Sequence, residues 1–345
     1  MKDVIIVGSG IAACTLAWQL HQQGKTIVMI TDRKKGSSSV AAGLYNPMVL
    51  KRFTAVWKAA DQLNELNSLF DYILKCTAVD LRKPITVARR FHDDKESQTW
   101  VKKSKRDDLK DFMNPQIHQL DVQGIDALSG YGFVNGTGWV DTLEFMSVTL
   151  LYFTNMKSVI LQEFDYSSLI SDVNFVTYKE IKASHIIFAE GYRILDNPYF
   201  KYLPIQGNKG EVLLIKVPSL ELKHIVKSSV FLMPYKDDLF WVGATYDRDD
   251  LEDVPSAAGK DFLTTRLERF LKLPYEVVEH KHGIRPTTID RRPFVGQHSQ
   301  HKNVWVFNGM GSRAVLIAPW ASSQLIQRIF KGQSIHEEMD IKRFT

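Results

Sequence analysis

The sequence predicts an α/β fold: a Rossmann-like nucleotide domain interleaved with a domain of antiparallel sheet. Three observations predict it. The chain opens with an apolar run, Val4 to Val7, that passes through Gly8-Ser9-Gly10 into a helical pattern. It closes in the same order, with a strand-like run from Val304 to Phe307, glycines at 309 and 311, and a helical pattern from Val315 to Phe330. Between these ends, segments such as Gly210 to Ile215 and Leu239 to Ala244 read as antiparallel strands.

Taken in order, the first helix is expected from Ile11 to Gln22, with Gly24 as its stop signal. A strand from Thr26 to Ile30 completes a βαβ entrance. Helical spacing of Val56, Ala59, Ala60, Leu63, Leu66, Phe70 and Ile73 predicts a helix across Phe53 to Cys76. Residues from Pro84 to Val134 are mixed, polar and aromatic. Gly138 to Thr142 reads as a helix start, with Asp141 able to cap a helix through Tyr152. A strand ends at Ile186 to Gly191. The expected nucleotide domain is therefore built from residues 1–50, 135–195 and 280–335, and the antiparallel-sheet substrate domain from 51–134 and 196–279.

Composition narrows the class. At 345 residues the chain has room for two domains and a large core. Two cysteines exclude a disulfide framework, and Cys14 falls within the apolar pattern of the first helix, so a reduced, cytoplasmic setting is expected. No signal peptide is expected before Val4. The apolar-rich stretch from Val148 to Ile160 is broken by Thr, Asn and Lys, so no membrane span is expected. The histidines are scattered and the cysteines isolated, so no metal site is read. Net charge is a mild +5, and the cluster from Trp100 to Arg106, followed by Asp107, Asp108 and Asp111, is read as solvated surface.

The chemistry begins at the glycine corner. Gly8, Gly10 and Ala13 after a strand and before a helix form G-x-G-x-x-A, a dinucleotide fingerprint. The first glycine permits the turn, the second lets a pyrophosphate reach the backbone, and the helix start offers free N–H groups. A plain packing turn is the alternative reading. Asp32, 24 residues after Gly8, stands about where a ribose-binding carboxylate belongs, with Thr31 as the other claimant. The small residues Ser37, Ser38, Ser39, Val40, Ala41, Ala42 and Gly43 would let a backbone lie flat against a planar ring; a flexible serine loop is the plainer reading.

These residues resemble the D-amino-acid oxidase / glycine oxidase family of flavoproteins. The likeness rests on the Rossmann entrance, Ser39-Val40-Ala41-Ala42-Gly43, Ala189-Glu190-Gly191, Gly283-Ile284-Arg285-Pro286 through Pro293-Phe294-Val295-Gly296, and Gly309-Met310-Gly311 before Ala318-Pro319. It implies an FAD held noncovalently, since no cysteine follows Cys76 for a tether. By family pattern the cofactor contacts would be Ile11, Ala12, Thr31, Asp32, Ser37, Ser38, Ala42, Gly43, Leu44, Gly191 and the run Met310, Gly311, Ser312, Arg313, Ala314, Val315, with a main-chain adenine contact near Phe164 or Asp165. A subset, Ala42 to Pro47 with Gly311-Ser312-Arg313-Ala314, is similar to the flavin domain of the MnmC family of tRNA-modifying enzymes. Asn46 is an insertion against that pattern and Ala314 replaces a glycine; no methyltransferase half is expected here.

Hydride transfer to flavin N5 leaves negative charge near N1 and the C2 carbonyl, and the start of the last helix is placed to offset it. Arg313 would add charge there, unless it is a surface arginine. Arg285 is the expected carboxylate clamp, its planar fork matching a carboxylate, with a structural ion pair as the alternative. Ser312 is a further substrate contact by family position. Lys51, Lys209 and Tyr246 are cavity candidates, and His282 is read as packing. The expected activity is oxidation of a CH–NH bond in an amino acid or N-substituted glycine, with hydrolysis of the imine. The alternatives are the same chemistry on a carboxymethylaminomethyl-uridine side chain of tRNA, and a flavin-binding protein without turnover. A small carboxylated amine is the favoured partner, and the sequence carries no signal for oligomeric state.

Overall fold

The computed structural model describes residues 1–344. Its parallel sheet runs in the order Val159–Leu161, Ile27–Thr31, Lys2–Val7, Ile181–Phe188, with Val304–Asn308 parallel to the end of Ile181–Phe188. Side-chain alternation sorts the two faces. Val4 and Ile6 join a core with the helices Ile11–Gln22, Ala59–Thr77, Thr142–Asn155 and Ala314–Lys331. Ile5 and Val7 point the other way, into a second core with Tyr178, Phe188, Phe200 and Leu203. The fully buried Trp18 satisfies its indole N–H on Thr149 Oγ1 at 2.8 Å.

The second sheet has eight strands, in the order Glu276–Thr288, Ile205–Lys216, Leu239–Gly243, Phe231–Lys236, Ile225–Lys227, Val87–Arg90, Tyr131–Val134, Met113–His118. All pairs are antiparallel except Ile225–Lys227 with Val87–Arg90. Leu213 and Ile215 pack under the helix Ala257–Leu267. Val212 and Leu214 occupy the opposite face with Met48, Leu50, Met233 and Trp241.

The first helix occupies Ile11–Gln22 as expected, and Gly24 follows it with φ +69°. Asp141 caps the helix Thr142–Asn155 by accepting from the N–H groups of Leu143 and Glu144, a contact worth about 1 kcal/mol. Two expectations shift. The second helix begins at Ala59, not Phe53, because Thr54–Ala55 pairs with Met48–Val49 and the Val56 N–H donates to the Pro47 carbonyl. Gly138–Val140 is a short strand paired with Leu44–Tyr45, so the helix starts only after it. In the cationic cluster, Trp100 is buried and donates to the Asn114 carbonyl and Ser104 is buried too, while Lys102, Lys105 and Arg106 are exposed and Val101 and Lys103 half-buried. Among the described residues no helix is long and apolar enough to cross a membrane, and no group of potential metal ligands forms.

Candidate active site

A cavity of about 800 Å³ lies between the second sheet, the segment from Ser37 to Lys51 and the starts of the first and last helices. Its walls include Ile11 at the start of the first helix, Ser37 and Ser38, Ala42 to Leu44, and Gly311 to Val315 at the start of the last helix. Residues from both ends of the chain therefore meet here, together with Arg285 on the strand Glu276–Thr288. Lys51 and Tyr246 also line it. Lys209 does not. It is buried elsewhere, paired with Asp250 at 2.7 Å and near Glu211 at 3.7 Å. His282 pairs with Asp253 outside the cavity.

Both helices begin at the site, at Ile11 and Ala314. Gly10 and Arg313 supply no side-chain cap, and neither first turn holds an acid. The Ile11 N–H donates to Ser38 Oγ at 3.1 Å, which ties the serine loop to the first helix. Such ends favour negative charge.

The remaining expected dinucleotide contacts lie at or just beyond the carboxyl ends of strands of the parallel sheet. A Cβ on Gly8 (φ +118°) would collide with the Ala189 carbonyl, so only glycine lets the first turn pass this close to the neighbouring strand. Ser9 and Thr31 share a hydrogen bond of 2.7 Å between their hydroxyls. Burial pulls the Asp32 carboxyl upward, but the Lys34 N–H donating to it at 3.0 Å and Arg193 at 2.6 Å, with the Lys34 ammonium at 3.5 Å, hold it below the usual range. Gly191 has φ +62° and open space where a Cβ would stand. Asp165 donates its main-chain N–H to the Tyr178 hydroxyl, and Phe164 stacks on the Tyr178 ring at 4.4 Å. Met310 packs into the helix-side core.

Charge is distributed unevenly. Among the described residues, five lysines and arginines line the cavity (Lys51, Arg89, Lys227, Arg285 and Arg313) against one acid, Glu96, and Glu96 is paired with Arg89. Arg285 lies deep in the protein but opens on the cavity. Its Nη1 donates to Asn208 Oδ1 and to the Thr245 carbonyl, both at 3.1 Å, and the Tyr246 ring covers it at 4.6 Å. Arg313 donates to the Asn46 carbonyl at 3.3 Å, so the inserted asparagine serves as its anchor. Neither arginine has a carboxylate within ion-pair distance among the described residues. Burial pushes both guanidinium pKa values below their ordinary range, though arginine stays charged. Two half-buried cations without anions carry a desolvation cost that a ligand's anion would offset.

Residues 3–328 match the family described as DAO, FAD dependent oxidoreductase. The chain belongs to this family. It is 23% identical over 379 residues to the tRNA 5-methylaminomethyl-2-thiouridine biosynthesis bifunctional protein MnmC of Legionella pneumophila (strain Corby), covering 97% of this chain and 55% of that protein. It thus spans about half the length of that relative. Against the glycine oxidase of Bacillus subtilis (strain 168) it is 19% identical, covering 97% of this chain and 95% of the other. The glycine oxidase of Geobacillus kaustophilus superposes with a TM-score of 0.79 at 18% identity, over 100% of this chain and 98% of that one, a likeness of fold. This DAO-family protein is an FAD-dependent oxidoreductase, and its acid-free helix starts, the open cradle at Gly191 and the arginines without carboxylate partners suit a cofactor with a pyrophosphate and an electron-rich ring. Neither cysteine lines the cavity, and burial pushes the Cys14 thiol up to about 12.

Sequence reasoning missed Arg193, Asn208, Gly210, Arg89 and Lys227. Strand alternation carries a signal for Arg89 and Lys227: Ala88 and Val226 are fully buried on one face, which turns their neighbours to the other.

Proposed function

We propose that this chain oxidises the CH–NH bond of an amine that bears a carboxylate, an amino acid or N-substituted glycine, to an imine that water hydrolyses. Bound FAD supplies the two-electron acceptor. The single observation that carries this reading is Arg285: a half-buried guanidinium, open to the cavity, with neutral acceptors on one nitrogen and no acid beside it. A bidentate grip on a substrate carboxylate fixes the Cα–H against the ring site and replaces the missing counter-charge. Asn208 and Tyr246 orient the fork. The Ala314 end of the last helix and Arg313 offer positive potential where charge develops during reduction. The loss of a hydride from such an amine needs it neutral and aligned, so no dedicated base is assigned.

Purified protein is expected to be yellow and to release FAD on boiling. An anaerobic screen by stopped-flow absorbance with glycine, sarcosine, proline and D-amino acids tests the reading. Bleaching by none of them, nor by tRNA, would leave a cofactor-binding protein without amine turnover.

A second reading is supported by the cavity rim. Lys51 lines the mouth, Arg52 follows it, and Lys103 donates to the Arg52 carbonyl at 2.7 Å. A basic rim suits the phosphates of a tRNA carrying a carboxymethylaminomethyl side chain, and the likeness to MnmC proteins points the same way. Binding of bulk tRNA that weakens steeply between low and moderate salt supports this reading. Salt-insensitive binding, or none, removes it.

A further inference from the structure

The cavity has a second cationic end. Lys227 closes the strand Ile225–Lys227, four strands away from Arg285 in the same sheet, and the register through Phe231, Gly243 and Val212 leads to Lys281, so the two backbones are offset by about 19 Å across the strands and about 13 Å along them. Both side chains line the one cavity. Between them the wall is apolar, with Val212, Phe231 and Leu50. Lys227 has no carboxylate within ion-pair distance among the described residues, and its nearest acceptor is the Ser229 carbonyl at 3.5 Å. Its neighbour across the parallel pair is another cation, Arg89, which is already neutralised by Glu96. Burial, with the Arg89 charge, pushes the Lys227 ammonium down to about 8, so it stays mostly protonated at neutral pH and lacks compensation from the protein.

A two-carbon amino acid held at Arg285 leaves this end unfilled. The cavity presents a cation, an apolar stretch and a second cation, which matches a ligand with an anion at each end and a hydrocarbon or flat spacer between. We propose that Lys227 is a specificity-determining residue that binds a second anionic group, a carboxylate or a phosphate, at the far end of the substrate's N-substituent. This rests on the reading of Arg285 as the carboxylate clamp of an amine oxidoreductase. The substrate class is then an N-substituted glycine with a tail ending in an anion.

Unreactive ligands separate the two ideas. The FAD-loaded protein is titrated with α,ω-dicarboxylates of graded length and with monocarboxylates of equal length, and binding is read from the change in flavin absorbance. A dicarboxylate of intermediate or long chain is expected to bind at least tenfold more tightly than its monocarboxylate. Lys227→Gln should bring that ratio near one, and Lys227→Arg should preserve it. ω-Phosphonocarboxylates in the same titration distinguish phosphate from carboxylate as the preferred tail. A ratio near one in the wild type, or a tenfold ratio that survives Lys227→Gln, overturns the proposal. Failure of the amine reading shows itself separately, as no bleaching by any amine, and leaves the dicarboxylate result standing.

Discussion

The guanidinium of Arg285 occupies the space that a Cβ on Gly210 would take, on the strand beside it. Asn208, directly across from Arg285 in the register, holds the same fork through its side chain. A glycine two residues along the strand thus gives the arginine its seat. Gly210→Ala is expected to displace the guanidinium and raise KM for carboxylated amines at least tenfold. FAD content should stay at the wild-type level, since Gly210 touches neither helix N-terminus. An unchanged KM in steady-state assays would show that the fork has another stable position.

Arg285→Ala removes the clamp itself. Hydrogen bonds to a charged group contribute up to about 3 kcal/mol, so kcat/KM for a carboxylated amine should fall by roughly 100-fold. The amine analogue lacking the carboxylate should lose far less. Bound FAD, measured by absorbance ratio, should change little. Equal loss of cofactor and activity would make the arginine structural.

Much of this arrangement was legible in the sequence. The glycine corner, the first helix and the Asp141 cap depend on contacts within a few residues, and local pattern reports those well. Arg285 stood out through motif order rather than through its surroundings. The stretch from Pro84 to Val134 was opaque because its strands pair with partners distant in the chain. Val87–Arg90 lies beside Ile225–Lys227, more than a hundred residues away, and no local period announces that. The expected boundary at residue 280 falls inside the single strand Glu276–Thr288, whose alternation is masked by charged residues on its first half. Lys209, a cavity candidate in the sequence, illustrates a different error: two acids draw it into the interior away from the cavity.

That buried cluster carries its own expectation. Lys209 Nζ sits 2.7 Å from Asp250 and 3.7 Å from Glu211, and Glu211 also meets His280 Nε2 at 2.6 Å and the Ser256 hydroxyl at 2.8 Å. The network ties the segment after Tyr246 to the strand Ile205–Lys216. Lys209→Met leaves Glu211 buried with a weaker counter-charge, and should cost about 3 kcal/mol in urea unfolding. Adding Glu211→Gln should recover part of the loss, because the two residues act as one unit. Additive losses would place them in independent roles.

His185 sets a pH dependence with a definite sign. It lies on the strand Ile181–Phe188, where the Trp305 indole N–H donates to its Nδ1 at 3.3 Å and the Phe330 ring stands at 5.9 Å. Burial lowers its pKa from 6.5 to about 4, opposed weakly by Asp3, and the hydrogen bond requires Nδ1 to carry a lone pair. The unfolded chain therefore binds a proton that the folded one refuses between these values. The stability contributed by neutral His185 is present above pH 6.5 and is lost as pH falls toward 4. The full difference corresponds to about 3 kcal/mol, and residual solvent access brings the expected loss to roughly 2 kcal/mol. Buried Glu190, with its carboxyl raised to about 7, has the opposite slope over part of the same range, so the whole-protein curve mixes the two. The difference between wild type and His185→Gln isolates the histidine, since the glutamine carbonyl still accepts from Trp305 and does not titrate. Urea midpoints of the two proteins should converge or cross as pH falls from 6.5 to 4.5; a constant gap would mean that His185 stays neutral in both states or charged in both.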